Sequence, residues 1–573
     1  MRHAILILGC FGATGLAACA APVSSSFDGK DAGPDHMGDL GDAHDLDGNQ
    51  LVGIAPETYG AGVTAQDADV FKHSPGAAAP FVFDPPSGAM LPNGWPSPEM
   101  LTHTDDAPAL VRLELDYGNG RVAAFTAKPE SAPRSDPNTT DVGSWWTVRF
   151  PVALFEQVKV AAVDGTLKWR VLYANGGDAT PRGAQSGTLR FLPGGEQPDV
   201  SFWQISGGQT FTIERLKVGA KSTKTLVPQQ SACIGCHTTA PDGKDIALND
   251  FSVGRHVDVV RPQVNGPPTR SPVVTPTAAS VLDGTTLLIP TVSAGAWSDT
   301  DGRWIAAAYT ANASAVEGPF QLGLLQIDGA KAHIDVLQGG GEVTANSDVL
   351  PAWSPDGKRI VFVRTNKATD GYLAQRSYAP KKTADLYSVA VTTVAGGSAT
   401  FGVATPVPGA SGTPELETYP SFSADGALLA YMRVDADGGG YDEGHGDIFV
   451  TKADGSGTPV RIVANDAPSD GPAWANGQTN SWPRFGKPLI QAPEGTYYPL
   501  IFSSRRGSST LWGDKYRGAG RPFARLVYTV ILVKTDGTVQ SFPGAIVPGQ
   551  RVDAGAHCPD YVTVTSVPPP LPN

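Results

Sequence analysis

The stretch that decides the fold runs Ala352-Trp353-Ser354-Pro355-Asp356-Gly357-Lys358-Arg359-Ile360-Val361-Phe362-Val363-Arg364. It contains an apolar segment, an Asp-Gly pair and a second apolar segment. Asp-Gly pairs supply the positive φ values that a tight turn between two antiparallel strands requires. The stretch therefore predicts a β-hairpin, with an inner strand, a tight turn and an apolar strand returning beside it.

The hairpin pattern recurs through the second part of the chain, at intervals of roughly 55 to 70 residues, which marks an internal repeat. One unit of this kind cannot bury both of its faces alone, so the units are expected to pack radially around a common axis. The other copies are at 233–244, 296–307, 420–433 and 482–505, the last without an Asp-Gly turn.

The first copy carries a second signal, Cys233-Ile234-Gly235-Cys236-His237, directly before its Pro-Asp-Gly-Lys turn. Two cysteines separated by two residues and followed at once by His form the attachment motif of a c-type haem. The thiols of Cys233 and Cys236 would bond to the porphyrin, and His237 would be the proximal iron ligand. A redox dithiol or a zinc site is the alternative, but zinc requires two further ligands nearby. The motif predicts one covalent haem c.

The motif does not specify the sixth iron ligand, for which a few residues are candidates. His557 is preferred, because units that pack radially close by bringing the last strand beside the first unit, which carries the motif. His256, one strand beyond the motif, is the alternative metal ligand, and an open sixth position is the third. His333 is interpreted as a polar residue of an outer strand, and His445 as a solvated loop residue. Met432 is predicted to fill the core, and Cys558 is either a soft ligand or an inert buried thiol.

The composition points to an all-β protein of more than one domain. Its 573 residues include 67 Gly and 49 Pro, against only 17% charged residues, which suits a fold with many turns. The net charge of −13 comes without a basic cluster, so nucleic acid is not expected as a partner.

The N-terminus predicts export. Residues 1–18 have the short apolar run of a signal peptide, and Leu16-Ala17-Ala18-Cys19 resembles the lipobox of bacterial lipoproteins. The resemblance implies lipidation of Cys19 and a lipid anchor in the bacterial cell envelope, at the outer membrane because Ala20 stands where Asp would signal inner-membrane retention. An ordinary secretory signal, cut after Ala18 or Ala20, is the alternative.

Residues 19–78 are rich in Asp, Gly and Ala, and predict a disordered tether. These predictions assign four of the five cysteines. Cys10 leaves with the signal peptide, Cys19 is lipidated, and Cys233 and Cys236 hold the haem. Only Cys558 is left over. A structural disulfide could form only by displacing one of these assignments.

Residues 79–225 contain short alternating segments such as Val111–Leu115 and Leu167–Tyr173, separated by turn residues. This pattern predicts antiparallel strands in an immunoglobulin-like β-sandwich. Trp145, Trp146 and Trp169 are expected in its core.

The repeats resemble the TolB-like family of six-bladed β-propellers, from roughly Cys233 to the C-terminus. Bacterial proteins that fuse a c-type haem into such a propeller are known, and the haem-bearing copy is similar to that of the α subunit of hydrazine synthase. The chain has no second Cys-x-x-Cys-His, so the resemblance stops at one haem. It implies an all-β fold with an N-terminal sandwich and a haem-bearing, TolB-like propeller at 226–573.

Together these features predict a membrane-anchored monohaem c-type cytochrome that transfers electrons to a periplasmic redox or envelope protein. Two alternatives stay open. An open sixth iron position would favour a haem enzyme acting on peroxide or small nitrogen compounds, and a structural haem would favour a TolB-like protein-binding scaffold.

Overall fold

The computed structural model describes residues 55–78, 80–131, 144–193, 199–206, 210–217, 220, 222–229, 234–250, 256–263, 267–299, 302–311, 320–338, 346–365, 383–394, 396–435, 446–466, 480–487, 489–505, 524–551 and 554–562. The predicted signal peptide, Cys19, residues 20–54 of the predicted tether, Cys233 and His445 lie outside these ranges. Within them, no helix has the length and apolar character needed to cross a membrane.

The first part of the described chain forms two β-sheets with one α-helix, α1 (Val152–Ala161). The sheets have the strand orders β1-β6-β5-β9-β10-β3 and β2-β4-β8-β7. Their strands are β1 (Glu57–Tyr59), β2 (Phe81–Asp84), β3 (Ala89–Leu91), β4 (Glu99–Thr104), β5 (Leu110–Asp116), β6 (Arg121–Ala127), β7 (Glu130–Ser131), β8 (Ser144–Arg149), β9 (Thr166–Ala174) and β10 (Gly183–Phe191), and 3-10 turns span Asp67–Lys72 and Val163–Gly165.

Two strand pairings in this N-terminal part are parallel, β1 with β6 and β3 with β10. An immunoglobulin-like sandwich consists of antiparallel sheets, so the sequence-based prediction holds at the level of two β-sheets. Trp145, Trp146 and Trp169 are all buried, as expected.

The predicted tether extends too far at its C-terminal end. Residues 55–78 are ordered, because β1 pairs with β6 and Phe71 is fully buried against Phe125, with ring centroids 5.9 Å apart. The prediction of disorder rested on the polar composition of the whole segment and missed its few apolar residues. Each of their contacts removes a large side chain from water.

The rest of the described chain forms six antiparallel sheets and a second helix, α2 (Pro276–Gly284), with 3-10 turns at Ala294–Ala296 and Val463–Asn465. Their strands are β11 (Asp199–Ser206), β12 (Thr210–Leu216), β13 (Lys224–Val227), β14 (Ile234–Thr239), β15 (Ile246–Asp250), β16 (His256–Arg261), β17 (Thr269–Arg270), β18 (Thr286–Thr291), β19 (Trp297–Ser298), β20 (Gly302–Thr310), β21 (Gln321–Gln326), β22 (Ile334–Val336), β23 (Ser347–Trp353), β24 (Arg359–Thr365), β25 (Ala384–Thr392), β26 (Thr400–Phe401), β27 (Thr405–Pro406), β28 (Leu416–Phe422), β29 (Leu428–Val434), β30 (Asp447–Lys452), β31 (Val460–Arg461), β32 (Asn480–Phe485), β33 (Ile490–Ala492), β34 (Gly495–Ser504), β35 (Arg525–Lys534), β36 (Val539–Ser541), β37 (Ala545–Ile546) and β38 (Ala554–Val562).

Each sheet consists of four strands in a row, in three cases with short strands added at the side. The rows are β38-β11-β12-β13, β14-β15-β16-β17, β18-β20-β21-β22, β23-β24-β25-β26, β28-β29-β30-β31 and β32-β34-β35-β36. The first strand of each row contacts the first strand of the next, and β38 contacts β14, so the six inner strands form a closed ring. This is the arrangement of β-propeller blades, and the predicted all-β repeat fold is confirmed at this level.

One sheet joins the two ends of this region. The C-terminal strand β38 pairs antiparallel with β11, whose partners in the row are β12 and β13. The predicted domain boundary at 225/226 therefore falls after β11 and β12 and within β13, all three of which belong to the ring. Alternation of apolar and polar residues could not assign these strands to one domain or the other, because a strand has the same period of two in a sandwich and in a propeller.

The N-terminal part packs directly on the ring. Trp95 lies 5.5 Å from Tyr528 of β35 between ring centroids, and the Ile546 N–H donates to Asp84 Oδ1 at 2.9 Å. One hydrophobic core includes residues of both parts. The N-terminal sheets are thus attached to the sixth row by buried contacts.

Two neighbouring rows each bury one Arg–carboxylate pair, in which the two residues lie on adjacent strands. Arg364 Nε lies 2.7 Å from Asp348 Oδ1, and Arg433 Nε lies 3.1 Å from Glu417 Oε1, where the Glu417 side chain is fully buried. Burial raises the pKa of Glu417 to about 7, against the opposing effects of Thr413 and Arg433.

This pKa predicts a pH dependence of stability. The folded state holds the proton of Glu417 more tightly than the unfolded chain, so the contribution is complete below pH 4.5 and is lost as the pH rises to about 7. The loss should amount to about 2–3 kcal/mol, at 1.36 kcal/mol per pKa unit. Urea unfolding of wild type and E417Q at pH 5 and pH 8 measures it. E417Q should show the smaller difference between the two pH values, and the part-exposed control E415Q should behave as wild type. Equal pH dependence in all three proteins would contradict the prediction.

Candidate functional site

Six residues at corresponding positions of the inner strands belong to one buried core. We call them the axial cluster: Cys236, Ile289, Leu350, Tyr419, Trp482 and Cys558. Four of them line a cavity of about 10 Å³ enclosed by β18, β23, β28 and β32. Tyr419 and Trp482 stack there with centroids 3.9 Å apart. The middle of the ring is therefore filled by side chains and contains two thiols.

Five members of the axial cluster share an unusual backbone. Each has a positive φ, between 45° for Cys558 and 55° for Trp482, and each is followed by proline. Positive φ is uncommon outside glycine. Here it coincides with a register shift in the inner strand of each of these rows, where a β-bulge bends the strand. The X-Pro bulge is thus an architectural feature of the repeat.

The predicted haem motif occupies this same position in β14. Cys236 lies seven residues before Gly243 of its turn, as Leu350 and Tyr419 lie seven residues before Gly357 and Gly426. His237 therefore stands where the other five inner strands carry proline. An alignment of the repeats on their turns could have found this substitution, which analysis of the motif alone missed.

The His237 side chain is 2% exposed, between β14 and the neighbouring row. Its Nε2 lies 2.8 Å from Ser201 Oγ of β11, and its Nδ1 has no hydrogen-bond partner among the described residues. Burial lowers the pKa of His237 to about 4; Asp560 opposes this effect and Arg484 adds to it. The imidazole is neutral at physiological pH, which is the form that binds a metal ion.

The two thiols of the axial cluster lie against each other. Cys236 Sγ is 2.8 Å from Cys558 Sγ, although the residues are 322 positions apart in the chain. Both side chains are buried and neither forms a disulfide in the structure. Burial raises the pKa of Cys558 well above its ordinary value, and the adjacent Cys236 acts in the same direction.

The structure places the candidate iron ligands as follows. His557 is buried on β38, the inner strand that contacts β14, and its ring lies 5.8 Å from that of Trp203. His256 begins β16, two strands outward from the axis, and its side chain is not described. Ring closure therefore brings the strands of His237 and His557 together and leaves His256 in an outer position. Met432 is fully buried in the core, and His333 is part-exposed.

One mouth of the ring has a small polar opening of about 130 Å³, lined by residues of all six inner strands. Asp560 of β38 bridges to β14 there, where its Oδ2 accepts from the Thr239 N–H at 2.6 Å. Arg484 and Lys487 line the same opening. The mouth thus carries charges of both signs.

The donor atoms at this site are of the types that bind a c-type haem, but the space around them in this structure is too small for a porphyrin. They comprise the Cys236 thiol and a neutral, buried imidazole with one ring nitrogen free of hydrogen bonds in the described structure. The openings near them, of about 130 and 10 Å³, are below the roughly 300–1,000 Å³ of ordinary ligand pockets. Among the described residues, no group of three or more His, Cys, Asp or Glu side chains is arranged to hold a metal ion.

No protein-family profile matches the chain, and no curated protein matches it. Solved structures match over about two thirds of it. A chain of the nidogen–laminin complex has 10% identity and a TM-score of 0.32, covering 64% of this chain and 98% of that one. The tricorn protease has 11% identity and a TM-score of 0.29, over 68% of this chain and 38% of its own. A puromycin-hydrolysing peptidase of Mycobacterium tuberculosis has 11% identity and a TM-score of 0.29, over 66% and 52%. At this level of similarity nothing about function follows from these proteins.

Proposed function

We propose that this protein is a monohaem c-type cytochrome of the bacterial cell envelope, built on a TolB-like, six-bladed β-propeller. The observation that supports it best is the change in β14, where Cys236-His237 replaces the X-Pro pair of the other five inner strands. A proline cannot bind a metal ion, whereas a neutral buried imidazole can. The replacement therefore introduces Cys236 and His237, two of the residues that the haem-attachment motif requires.

In this proposal, Cys233 and Cys236 hold the porphyrin covalently and His237 is the proximal iron ligand, with His557 as the preferred sixth ligand. The haem would supply one-electron redox chemistry when bound. The chain supplies a fixed mounting, because β14 is held between β15 and the contacts of β38. The Ser201 hydroxyl holds one nitrogen of the His237 ring and so fixes the orientation of the imidazole.

The proposed electron partner is a periplasmic redox or envelope protein, reached from a lipid anchor on Cys19. Nucleic acid is not proposed as a partner, since the chain is acidic. The N-terminal sheets pack on the ring and would move with it as one docking surface.

A haem enzyme acting on peroxide or a small nitrogen compound is the second candidate. It is favoured by the place of His557, whose ring packs on Trp203. If that contact persists in the haem-bearing protein, the sixth iron position stays open to a small molecule. Addition of carbon monoxide or cyanide separates the two candidates, since an unchanged low-spin spectrum supports electron transfer and a new ligand band supports the enzyme.

The haem itself is tested by expression with c-type haem attachment, followed by a pyridine haemochrome assay. We expect one covalent haem per chain in wild type and none in C233S/C236S. H237Q should lose the wild-type axial ligation, which its absorption spectrum reports, while H333Q should match wild type because His333 is part-exposed just before the outer strand β22. Folded wild-type protein without haem would overturn the cytochrome proposal and leave a TolB-like binding scaffold.

A further inference from the structure

The contact between Cys236 and Cys558 joins two parts of the ring that no strand pairing joins. Cys236 lies on β14 of the second row, and Cys558 on β38 of the first. β38 is hydrogen-bonded to β11 on its other side, and no β38–β14 pairing exists among the described strands. This junction is where the two ends of the propeller region meet.

The two sulfur atoms are placed for bonding. Their 2.8 Å separation exceeds an S–S bond by about 0.8 Å. Both thiols belong to the axial cluster, and Asp560, two residues after Cys558, already bridges the same two strands through the Thr239 N–H. Closing this gap of about 0.8 Å between the sulfur atoms would form the bond.

We propose that Cys236 and Cys558 form a disulfide in chains that carry no haem on Cys236, and that this bond locks the closing strand β38 onto β14. Two thiols lose two protons and two electrons to form one S–S bond. A small external disulfide such as oxidised glutathione accepts them and becomes two thiols. The cell envelope provides an oxidising setting of this kind.

The bond and the haem compete for one sulfur atom. A thioether on Cys236 excludes the disulfide and leaves Cys558 as a free thiol, whereas the disulfide excludes the thioether. The proposal goes beyond the cytochrome hypothesis, because it concerns the haem-free chain and requires no property of the haem. If no haem is ever found, the disulfide remains testable as it stands.

The bond should form slowly in the folded protein. Exchange requires direct contact between a thiol and the external disulfide, and both cysteine side chains are buried. The buried thiols meet external disulfides only during opening of the ring. Oxidation must therefore be followed to its end point.

The test uses the full chain purified from cells without c-type haem attachment, equilibrated with oxidised or reduced glutathione. Free thiols are alkylated after denaturation, and disulfide-linked peptides are identified by mass spectrometry. We expect a linked pair joining the peptides of Cys236 and Cys558 in wild type and in the matched control C233S, and none in C558A. The C558A substitution keeps a small apolar side chain at a buried position, so folding should persist.

The consequence for stability is measured on C233S, in which Cys233 cannot compete. Its oxidised form should melt several degrees above its reduced form, since the bond closes a very long loop. C233S/C558A should show no difference between oxidised and reduced samples. The proposal is overturned if both thiols of oxidised C233S remain alkylatable, or if oxidised wild type links Cys233 to Cys236 or to Cys558 instead.

Discussion

Deleting residues 554–573 should abolish the cooperative unfolding transition of the propeller, whereas deleting residues 563–573 should leave it intact. The longer deletion removes β38, the inner strand of the first row, which pairs with β11 and contacts β14 and β32. Its side chains are almost entirely buried, so their removal exposes apolar surface on three rows at once. It also turns β11 into an unpaired edge, which favours association between chains.

Circular dichroism melting and size-exclusion chromatography of the two deletion variants measure this effect. The variant ending at residue 562 is the matched control, because it keeps β38 and loses only residues beyond the described chain. A chain ending at residue 553 that still melted in one sharp transition as a monomer would show that closure by β38 is dispensable. It would also remove the physical basis for a stabilising link at Cys558.

Replacing Arg433 by Met should cost about 3–5 kcal/mol of unfolding free energy, the usual effect of removing one partner from a buried ion pair. Arg433 is the ionic partner of the fully buried Glu417, and it also donates to the Gly409 carbonyl at 2.8 Å. Because Arg433 lowers the pKa of Glu417, its loss raises that pKa further. The destabilisation should therefore be larger at pH 8 than at pH 5, where Glu417 can take up a proton.

Urea unfolding of R433M and of R461M at both pH values tests this expectation. R461M is the matched control, since Arg461 pairs with Asp447 and Asp466 near the surface, where ion pairs contribute about 0–1 kcal/mol. The double variant E417Q/R433M should recover much of the loss, as it leaves no buried charge. Equal costs for R433M and R461M would contradict the assigned role of burial.

The local features of the fold follow from the sequence because they depend on residues close together in the chain. The Asp-Gly turns, as in Asp356-Gly357, have the predicted positive φ at glycine, whereas strand β24 after that turn is buried on both faces and does not show the expected alternation. The assignment of β11 to β13 failed for the opposite reason. Their row is completed by β38, which pairs with β11 through contacts such as Ser206 with Ala554, so their local pattern does not tell a sandwich strand from a propeller strand.

For the candidate site too, local features were predictable from the sequence and long-range contacts were not. The sequence by itself determined the Cys-x-x-Cys-His motif and its fusion to a repeat turn, because covalent attachment and turn chemistry depend on spacing within a few residues. Only the tertiary structure decided that Cys236 meets Cys558 across 322 residues, and that the His237 imidazole lies against the Ser201 hydroxyl. The physical reason is ring closure, in which the contacts between first and last strands depend on the packing of all six rows and not on any local pattern.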